Sequence, residues 1–174
     1  MLGSVFVGIS VDGFMARPDG SFDFLPADGG EPHGYEEFFA SVDALVIGRE
    51  TYETVVGFES WPYGQKRVVV LSSRTLDLSR FRGVPLEQMG GDPREIVAKL
   101  EGQGVKHAYI DGGVTIQRFL RAGLIQRLVI TRVPVLIGSG RPLFGPLEAD
   151  VRLRHVATRS FPSGLVQSEY AIEP

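Results

Sequence analysis

Residues 108–124 carry the pattern that most limits what this chain can fold into. An apolar strand ends at Ile110, and Gly112 and Gly113 follow it almost at once. Apolar residues then recur at i, i+3, i+4 and i+8, which is the spacing of a helix with one buried face. These residues are Ile116, Phe119, Leu120 and Leu124. A strand that passes through a short turn into a helix predicts an α/β unit.

The two glycines of this turn could also hold a phosphate group. Anions are favoured at the N-terminus of a helix, and a residue without a side chain lets a ligand approach the backbone closely. A tight connection without any ligand would carry the same residues, and a short glycine motif is weak evidence by itself. Both interpretations of Gly112 and Gly113 therefore stay open at this point.

The remainder of the chain predicts further strands and helices in alternation. Strands are predicted at residues 4–11, 44–47, 67–71, 84–89, 107–110 and 127–135, and helices at 32–41, after Gly48, at 92–103 and after Gly113. Residues 151–161 and 165–172 predict a hairpin, because Pro162, Ser163 and Gly164 stand between two extended segments. The pattern indicates a single α/β domain over residues 1–174, with a mainly parallel sheet and an antiparallel end.

Composition excludes several classes of function. The net charge is −3 and there is no basic run, so we expect no nucleic-acid partner. The chain has no cysteine, and its three histidines are far apart in sequence, which argues against a metal site. No stretch reaches 18 apolar residues and no signal sequence is recognisable, so we expect a cytoplasmic protein without a membrane partner.

Residues 12–34 predict a long loop, because proline, glycine and aspartate recur through them. A loop of this length inside a compact domain is usually functional, often as a lid over a site. A flexible insertion without a function is the alternative. Gly8, inside the strand before this loop, predicts that some group approaches the backbone closely there.

Three predicted strands end in groups that suit phosphate oxygens. In a parallel sheet, ligands bind beyond the carboxyl ends of the strands. Backbone amides, hydroxyls and guanidinium groups are the donors that phosphates need. The candidate residues are Gly48, Arg49, Thr51, Leu71, Ser72, Ser73, Arg74, Asp111, Gly112, Gly113, Val114 and Thr115. For any one strand end, a plain turn with solvated side chains is the simpler interpretation. The coincidence of three makes a nucleotide site as plausible as this simpler interpretation, and both stay open at this point.

Five short motifs occur in order along the chain. They read SVDGFMA at 10–16, GRETYE at 48–53, LSSR at 71–74, DGG at 111–113 and GSGRPLF at 138–144. As an ordered set they resemble S-x-D-G-x-x-A, G-R-x-T-[WY]-E, L-S-S, D-G-G and G-x-G-R-P-L-F of the dihydrofolate reductase fold family. The resemblance is specifically to the branch of the riboflavin-biosynthesis reductases, the RibD C-terminal domain. It implies a three-layer fold with helices on both faces of the sheet.

The resemblance also implies an NADPH-dependent oxidoreductase that forms a homodimer. Arg49, Ser72, Ser73 and Arg74 would hold the adenosine side and its 2′-phosphate. The pyrophosphate would lie on residues 112–115. The nicotinamide would be lined by Gly8, Ile9, Met15 and Ala16. Two arginines near one strand end would be poorly used by NADH, which carries a neutral 2′-hydroxyl group there.

The resemblance identifies the substrate side less clearly than the cofactor side. Asp12, in the first motif, is a candidate proton relay, although a turn-forming role before Gly13 is equally compatible with its position. Glu36 lies in the region where a folate reductase carries its acid, but a solvated helix residue is the simpler interpretation of it. Residues 55–62 also depart from the family pattern.

Three functions are therefore weighed. The first is a reductase of a small heterocyclic substrate, of the 5-amino-6-(5-phosphoribosylamino)uracil reductase type. The second is a dihydrofolate reductase or a promiscuous relative. The third is a nucleotide-binding module without turnover, which would explain the missing clear acid.

Overall fold

The computed structural model describes residues 1–26 and 31–173, in which ten strands and four α-helices are present. The strands are β1 (Leu2–Ser10), β2 (Phe14–Ala16), β3 (Ala44–Gly48), β4 (Arg67–Leu71), β5 (Leu86–Met89), β6 (His107–Asp111), β7 (Arg127–Val133), β8 (Arg141–Pro142), β9 (Leu153–Ser160) and β10 (Val166–Ile172). The helices are α1 (Tyr35–Ser41), α2 (Arg49–Val56), α3 (Pro93–Gly102) and α4 (Gly113–Arg121). Residues 27–30 of the predicted loop lie outside the described residues.

Eight of the strands form one sheet in the order β5-β4-β3-β6-β1-β7-β10-β9. Neighbouring strands from β5 to β7 are parallel, whereas β10 runs antiparallel to both β7 and β9. The predicted fold class is thereby confirmed: a mostly parallel sheet with an antiparallel C-terminal hairpin. Parallel strands end at a common edge, which is where the candidate residues were expected.

Helices cover both faces of the sheet, as expected from the alternation of side chains along the strands. On one face, Val5, Val7 and Ile9 of β1 belong to a buried cluster that includes Ile96 of α3 and Phe119 of α4. On the other face, Phe6 of β1 is buried with Phe38 of α1 and Tyr52 of α2. These two clusters hold the helix starts firmly against the sheet edge.

A second, two-stranded sheet was not predicted from the sequence, in which both of its segments have the composition of loops. β2 pairs antiparallel with β8, across Phe14 and Pro142 and across Ala16 and Arg141. Strands of two or three residues are too short to show an alternating pattern. A Cβ atom built on Gly140 would collide with the carbonyl oxygen of Ala16, so glycine is required at that position.

Helix α1 begins at Tyr35 and not at residue 32, which corrects the prediction. Gly34 has φ 89° and ψ 11°, a left-handed conformation that cannot be part of a right-handed helix. The predicted start of α3 is confirmed, because the Asp92 side chain accepts from the Arg94 amide and Glu95 completes a capping box. Across residues 1–26 and 31–173, the helices are too short or too polar to cross a membrane.

Candidate cofactor and substrate site

The carboxyl ends of β4, β3 and β6 lie side by side at one edge of the sheet. Gly48 is in register with Leu71 of β4, and Ile47 is in register with Asp111 of β6. The three segments singled out in the sequence therefore lie together, which was the geometric condition for a shared nucleotide site. Their role in binding a cofactor stays a prediction.

The starts of α2 and α4 face each other across a narrow gap. Gly48 precedes α2 and Gly112 precedes α4, and neither helix has a side-chain cap. A Cβ atom built on Gly48 would lie 2.8 Å from Thr115 Oγ1, and one built on Gly112 would lie 2.7 Å from Thr51 Oγ1. Each glycine thus makes room for the threonine of the opposite helix. The Thr51 hydroxyl and the uncapped amides of two helix starts lie at this gap, which suits an anion such as a pyrophosphate.

Gly112 has φ 93° and ψ 131°, a conformation that residues with side chains rarely adopt. The next residues differ in exposure: Val114 is 68% exposed, whereas Thr115 is only 4% exposed. A Cβ atom on Gly113 would touch Met15 Sδ at 3.5 Å and the Pro142 carbonyl oxygen at 3.6 Å. The small sheet of β2 and β8 therefore covers the start of α4 from the side of β1.

The predicted cationic residues lie at the same edge, where Arg74 is exposed and Arg49 is half-buried. The Arg49 guanidinium contacts Glu53 at 2.8 Å, one helical turn along α2. Such an exposed pair contributes only about 0.3–0.5 kcal/mol, so a phosphate can compete for the arginine. Ser72 Oγ accepts from the Arg74 amide at 3.0 Å and donates to the Arg74 carbonyl at 2.8 Å, which fixes the turn that also presents Ser73.

The residues expected around a nicotinamide divide between the two faces of β1. Gly8 lies on the face of α1, where a Cβ atom would come within 3.1 Å of Leu25 Cδ2. The close approach predicted at Gly8 is thus made by the loop before α1. Ile9 is 4% exposed in the opposite core cluster, so only its backbone faces this site. Met15 and Ala16 lie in β2.

A cleft of about 580 Å³ opens beside Gly8, between α1, the preceding loop and the end of β7. Its size is typical of small-molecule sites. Phe6 forms its aromatic floor, with the His33 ring 5.4 Å and the Tyr35 ring 5.5 Å away. The lining residues are Phe6, Gly8, Leu25, Pro26, Glu31, Pro32, His33, Gly34, Tyr35, Glu36, Glu37, Thr131, Val133 and Leu165. Gly8 belongs to β1, which pairs with β6, and the carboxyl end of β6 is part of the candidate cofactor edge.

The sequence predicts Asp111 as a cofactor-binding residue, and its surroundings also raise the pKa of its carboxyl group. Although it keeps some exposure, protein atoms surround it, and this burial raises the pKa of its carboxyl group, partly offset by the Gly112 amide. Burial and the Asp111 charge together raise the pKa of Tyr35 to about 12 and also raise the pKa of Tyr63. A buried carboxyl that resists ionisation can hold a proton closer to neutral pH.

The two acids proposed for catalysis occupy different positions. Asp12 accepts hydrogen bonds from the amides of Gly138, at 2.8 Å, and Ile137, at 3.3 Å, so it ties the turn after β1 to the loop before β8. A hydrogen bond to Ser10 and these amides lower the pKa of Asp12. This arrangement supports a turn-holding role. Glu36 lies in the first turn of α1 at the cleft. Catalytic roles for both residues stay predictions.

No group of three or more His, Cys, Asp or Glu side chains that could hold a metal occurs within the described part of the chain. The electrostatic effect of Asp111 on Tyr35 was not predicted, because the two residues are far apart in sequence. A sequence signal for Asp111 existed, since an acid ended an apolar strand just before the glycines.

Comparison with known proteins supports the family resemblance that the five motifs indicate. The family model of the RibD C-terminal domain matches residues 3–167. The uncharacterized protein YwjB of Bacillus subtilis (strain 168) is 31% identical over 160 residues, which cover 90% of this chain and 90% of YwjB. A structure from Shewanella sp. PV-4, assigned to riboflavin biosynthesis, has a TM-score of 0.91 at 35% identity over 100% of both chains.

The dihydrofolate reductase of Enterococcus faecalis, solved with NADP(H), has a TM-score of 0.68 at 18% identity and covers 99% of this chain and 97% of that chain. At this identity the likeness concerns the fold alone. The resemblance predicted from the five motifs is confirmed. The chain belongs to the family of the RibD C-terminal domain, with a dihydrofolate reductase-like fold.

Proposed function

We propose that this protein is an NADPH-dependent reductase that transfers a hydride to a small heterocyclic substrate, of the riboflavin-pathway 5-amino-6-(5-phosphoribosylamino)uracil reductase type. The observation that carries the proposal is the gap between the starts of α2 and α4, and the structure also has a cleft of suitable size. Membership of a reductase family supports the same activity.

The donors at the sheet edge fit the cofactor. Thr51, Thr115 and the amides after Gly48 and Gly112 would bind the pyrophosphate. Arg49 and the turn at residues 72–74 would bind the 2′-phosphate. Gly8 and Met15 would lie beside the nicotinamide. When bound, NADPH supplies the hydride, and the protein supplies position and a proton.

Asp111, which is near enough to the cleft residue Tyr35 for its charge to affect the Tyr35 phenol, is the residue that we propose as the source of this proton. Reduction of a C=N or C=O bond adds a hydride to the carbon and a proton to the heteroatom, and NADP⁺ is released. Because burial raises its pKa, Asp111 can stay protonated where an exposed aspartate would be ionised. Tyr35, whose pKa is also raised, would remain a neutral hydrogen-bond donor to the substrate.

The proposal is tested first by cofactor affinity. NADPH and NADH are titrated into the wild-type protein and into Arg49→Ala/Arg74→Ala, and nicotinamide fluorescence is followed. We expect the double variant to lose roughly 30-fold or more in NADPH affinity, about 1–1.5 kcal/mol for each charged contact, with NADH little changed. Arg94→Ala, an exposed arginine of α3, is the matched control. Equal losses for both cofactors would contradict the placement of the 2′-phosphate.

Turnover is tested next by oxidation of NADPH at 340 nm. The riboflavin-pathway pyrimidine and dihydrofolate are offered as separate substrates. Consumption with the pyrimidine supports the proposal, and consumption with dihydrofolate alone supports the second function weighed above. NADPH binding without turnover of either compound would favour a binding module. The homodimer also remains a prediction, and light scattering of the purified protein measures it directly.

A further inference from the structure

We propose that Gln88 is a positioning residue that sets the preference of this protein for NADPH over NADH. Its side chain acts on the turn of residues 72–76 and not on the cofactor itself. This turn carries Ser73 and Arg74, which would bind the 2′-phosphate. The role therefore rests on the proposed function, and it adds a residue on which the cofactor specificity of that site depends.

The Gln88 side chain makes three hydrogen bonds to the backbone of this turn. Its amide group donates to the carbonyl oxygens of Ser72, at 3.2 Å, and Arg74, at 2.6 Å. Its own carbonyl oxygen accepts from the Leu76 amide at 2.9 Å. Gln88 lies in β5, in register with Val70 of β4. A neighbouring strand thus holds the chain that leaves the end of β4.

The turn lies beyond the residues that pair β4 with β5. The last pair in register is Leu71 and Met89, and the Ser72 amide then donates to the Met89 carbonyl oxygen at 3.0 Å. A Cβ atom built on Gly90 would lie 3.1 Å from the Ser72 carbonyl oxygen, so the turn is packed closely against the end of β5. Where the pairing of the strands ends, Gln88 supplies partners for backbone groups that would otherwise need water. The path of the turn is therefore fixed without a ligand.

The side chains of Ser73 and Arg74 are exposed, although the backbone that carries them is fixed. A phosphate group is recognised by guanidinium and hydroxyl donors that approach it from defined directions. A fixed backbone lowers the conformational entropy that such side chains lose when they close on a ligand. Gln88 would therefore raise the affinity for a 2′-phosphate without contacting it.

This role predicts a change in preference and not a general loss of binding. NADH has the same nicotinamide and pyrophosphate as NADPH, but it carries a hydroxyl group in place of the 2′-phosphate. Loss of the Gln88 amide would loosen the turn that faces the 2′-phosphate. The starts of α2 and α4, where the pyrophosphate would bind, belong to other segments. A residue that only stabilised the fold would weaken the binding of both cofactors alike.

The test measures the dissociation constants of NADPH and NADH by nicotinamide fluorescence in the wild type, Gln88→Met and Gln126→Met. Methionine keeps the length of the side chain and removes its amide. We expect Gln88→Met to weaken NADPH binding by about tenfold and to leave NADH binding within about twofold of the wild type. Equal losses for both cofactors, or no loss for either, would overturn the inference.

Gln126 is the matched control because its side chain also holds the backbone, but at the amino end of β1. It accepts from the Gly3 amide at 2.7 Å and donates to the Gly123 carbonyl oxygen at 3.5 Å. Gln126→Met should leave both dissociation constants unchanged. Both variants should unfold at lower urea concentrations than the wild type, so lost stability cannot by itself explain an effect confined to NADPH. An NADPH-specific loss in Gln126→Met would contradict the role of Gln88.

A milder variant serves if Gln88→Met does not fold. Gln88→Asn retains the amide on a side chain that is one methylene shorter, so it cannot keep all three contacts. We expect it to weaken NADPH binding by about threefold, again with NADH nearly unchanged. Wild-type affinity for NADPH in Gln88→Asn, or an equal loss for both cofactors, would overturn the inference.

A combined variant shows whether Gln88 acts through the turn. In the background Ser73→Ala/Arg74→Ala, the further loss of NADPH affinity caused by Gln88→Met should disappear. An undiminished loss in this background would mean that Gln88 acts elsewhere. If the wild type binds neither cofactor, the proposed function has failed and this role fails with it. If the wild type prefers NADPH and Gln88→Met keeps that preference, only the role of Gln88 is wrong.

Discussion

The candidate cofactor edge and the cleft beside Gly8 are built in opposite ways. The edge consists of helix starts, glycines and arginines, each within a few residues of a strand end. The cleft collects side chains from β1, α1, β7 and the loop before β10, and its charged residues are acidic. A site for phosphates can therefore be made by local chain geometry, whereas a site for a particular ring requires distant segments to pack together.

The largest expected effect is a loss of turnover that leaves binding at the candidate cofactor edge almost unchanged. Asp111→Asn should lower kcat by about 10²- to 10⁴-fold if the proton comes from Asp111, while NADPH affinity changes little. Wild-type kcat should fall as pH rises through the raised pKa of Asp111, because only the protonated acid can donate. Asp12→Asn is the comparison variant. A large loss there, with Asp111→Asn active, would transfer the role to Asp12.

The next effect concerns the edge alone. Gly112→Ala places a Cβ atom against Thr51 Oγ1 in a strained conformation, so we expect about a 100-fold loss of NADPH affinity, which equals about 2.8 kcal/mol. Gly104→Ala is the matched control, because Gly104 has φ 88° with open space around it. Both variants should lose roughly 1–2 kcal/mol of stability in urea unfolding. Unchanged NADPH affinity in Gly112→Ala would exclude the gap as the pyrophosphate site.

A third effect concerns the stability of the fold and its dependence on the ionisation of Asp111. The folded pKa of Asp111 lies above its ordinary value of 3.8, so its stabilising contribution is complete below that pH and is lost as pH rises through the folded pKa. Asp111→Asn removes this dependence. Its urea midpoint should exceed that of the wild type at pH 7.5, and the two midpoints should converge near pH 4. A constant difference would show that burial does not affect ionisation.

The smallest effect concerns Asp12, whose pKa is lowered by hydrogen bonds to Ser10 and to the amides of residues 137 and 138. This contribution is present above the ordinary pKa of 3.8 and is lost as pH falls through the lower folded value. The difference in urea midpoint between the wild type and Asp12→Asn should therefore be largest near pH 6 and shrink below pH 3. A difference independent of pH would mean that the Asp12 carboxylate makes no specific contact.

The strand ends could be predicted because their signals are local. The apolar run before Gly48, the two glycines after Asp111 and the capping box of Asp92 and Glu95 each act within a few residues. These signals were sufficient to predict the main sheet and the strand ends that lie side by side at its edge. Strands β2 and β8 were not recognised because their pairing depends on Gly140 and Ala16, which lie far apart in sequence.

The contents of the cleft were harder to predict for the same reason. No residue near Tyr35 in sequence indicates that the Asp111 charge raises the pKa of its phenol. Likewise, no residue near Glu31 indicates that its carboxylate accepts a hydrogen bond from the Ser163 amide. These relations depend on how α1 and the C-terminal hairpin pack onto the sheet. The start of α1 was placed too early because the left-handed conformation of Gly34 is a property of the folded loop.

The reciprocal contacts between Gly48 and Thr115 and between Gly112 and Thr51 make these four positions interdependent. Enlarging one glycine alone leaves no room, but Gly48→Ala combined with Thr115→Ala would restore space because the opposing hydroxyl is removed. Any attempt to redesign these two helix starts, or to transplant them onto another scaffold, should therefore vary or transfer these positions as pairs.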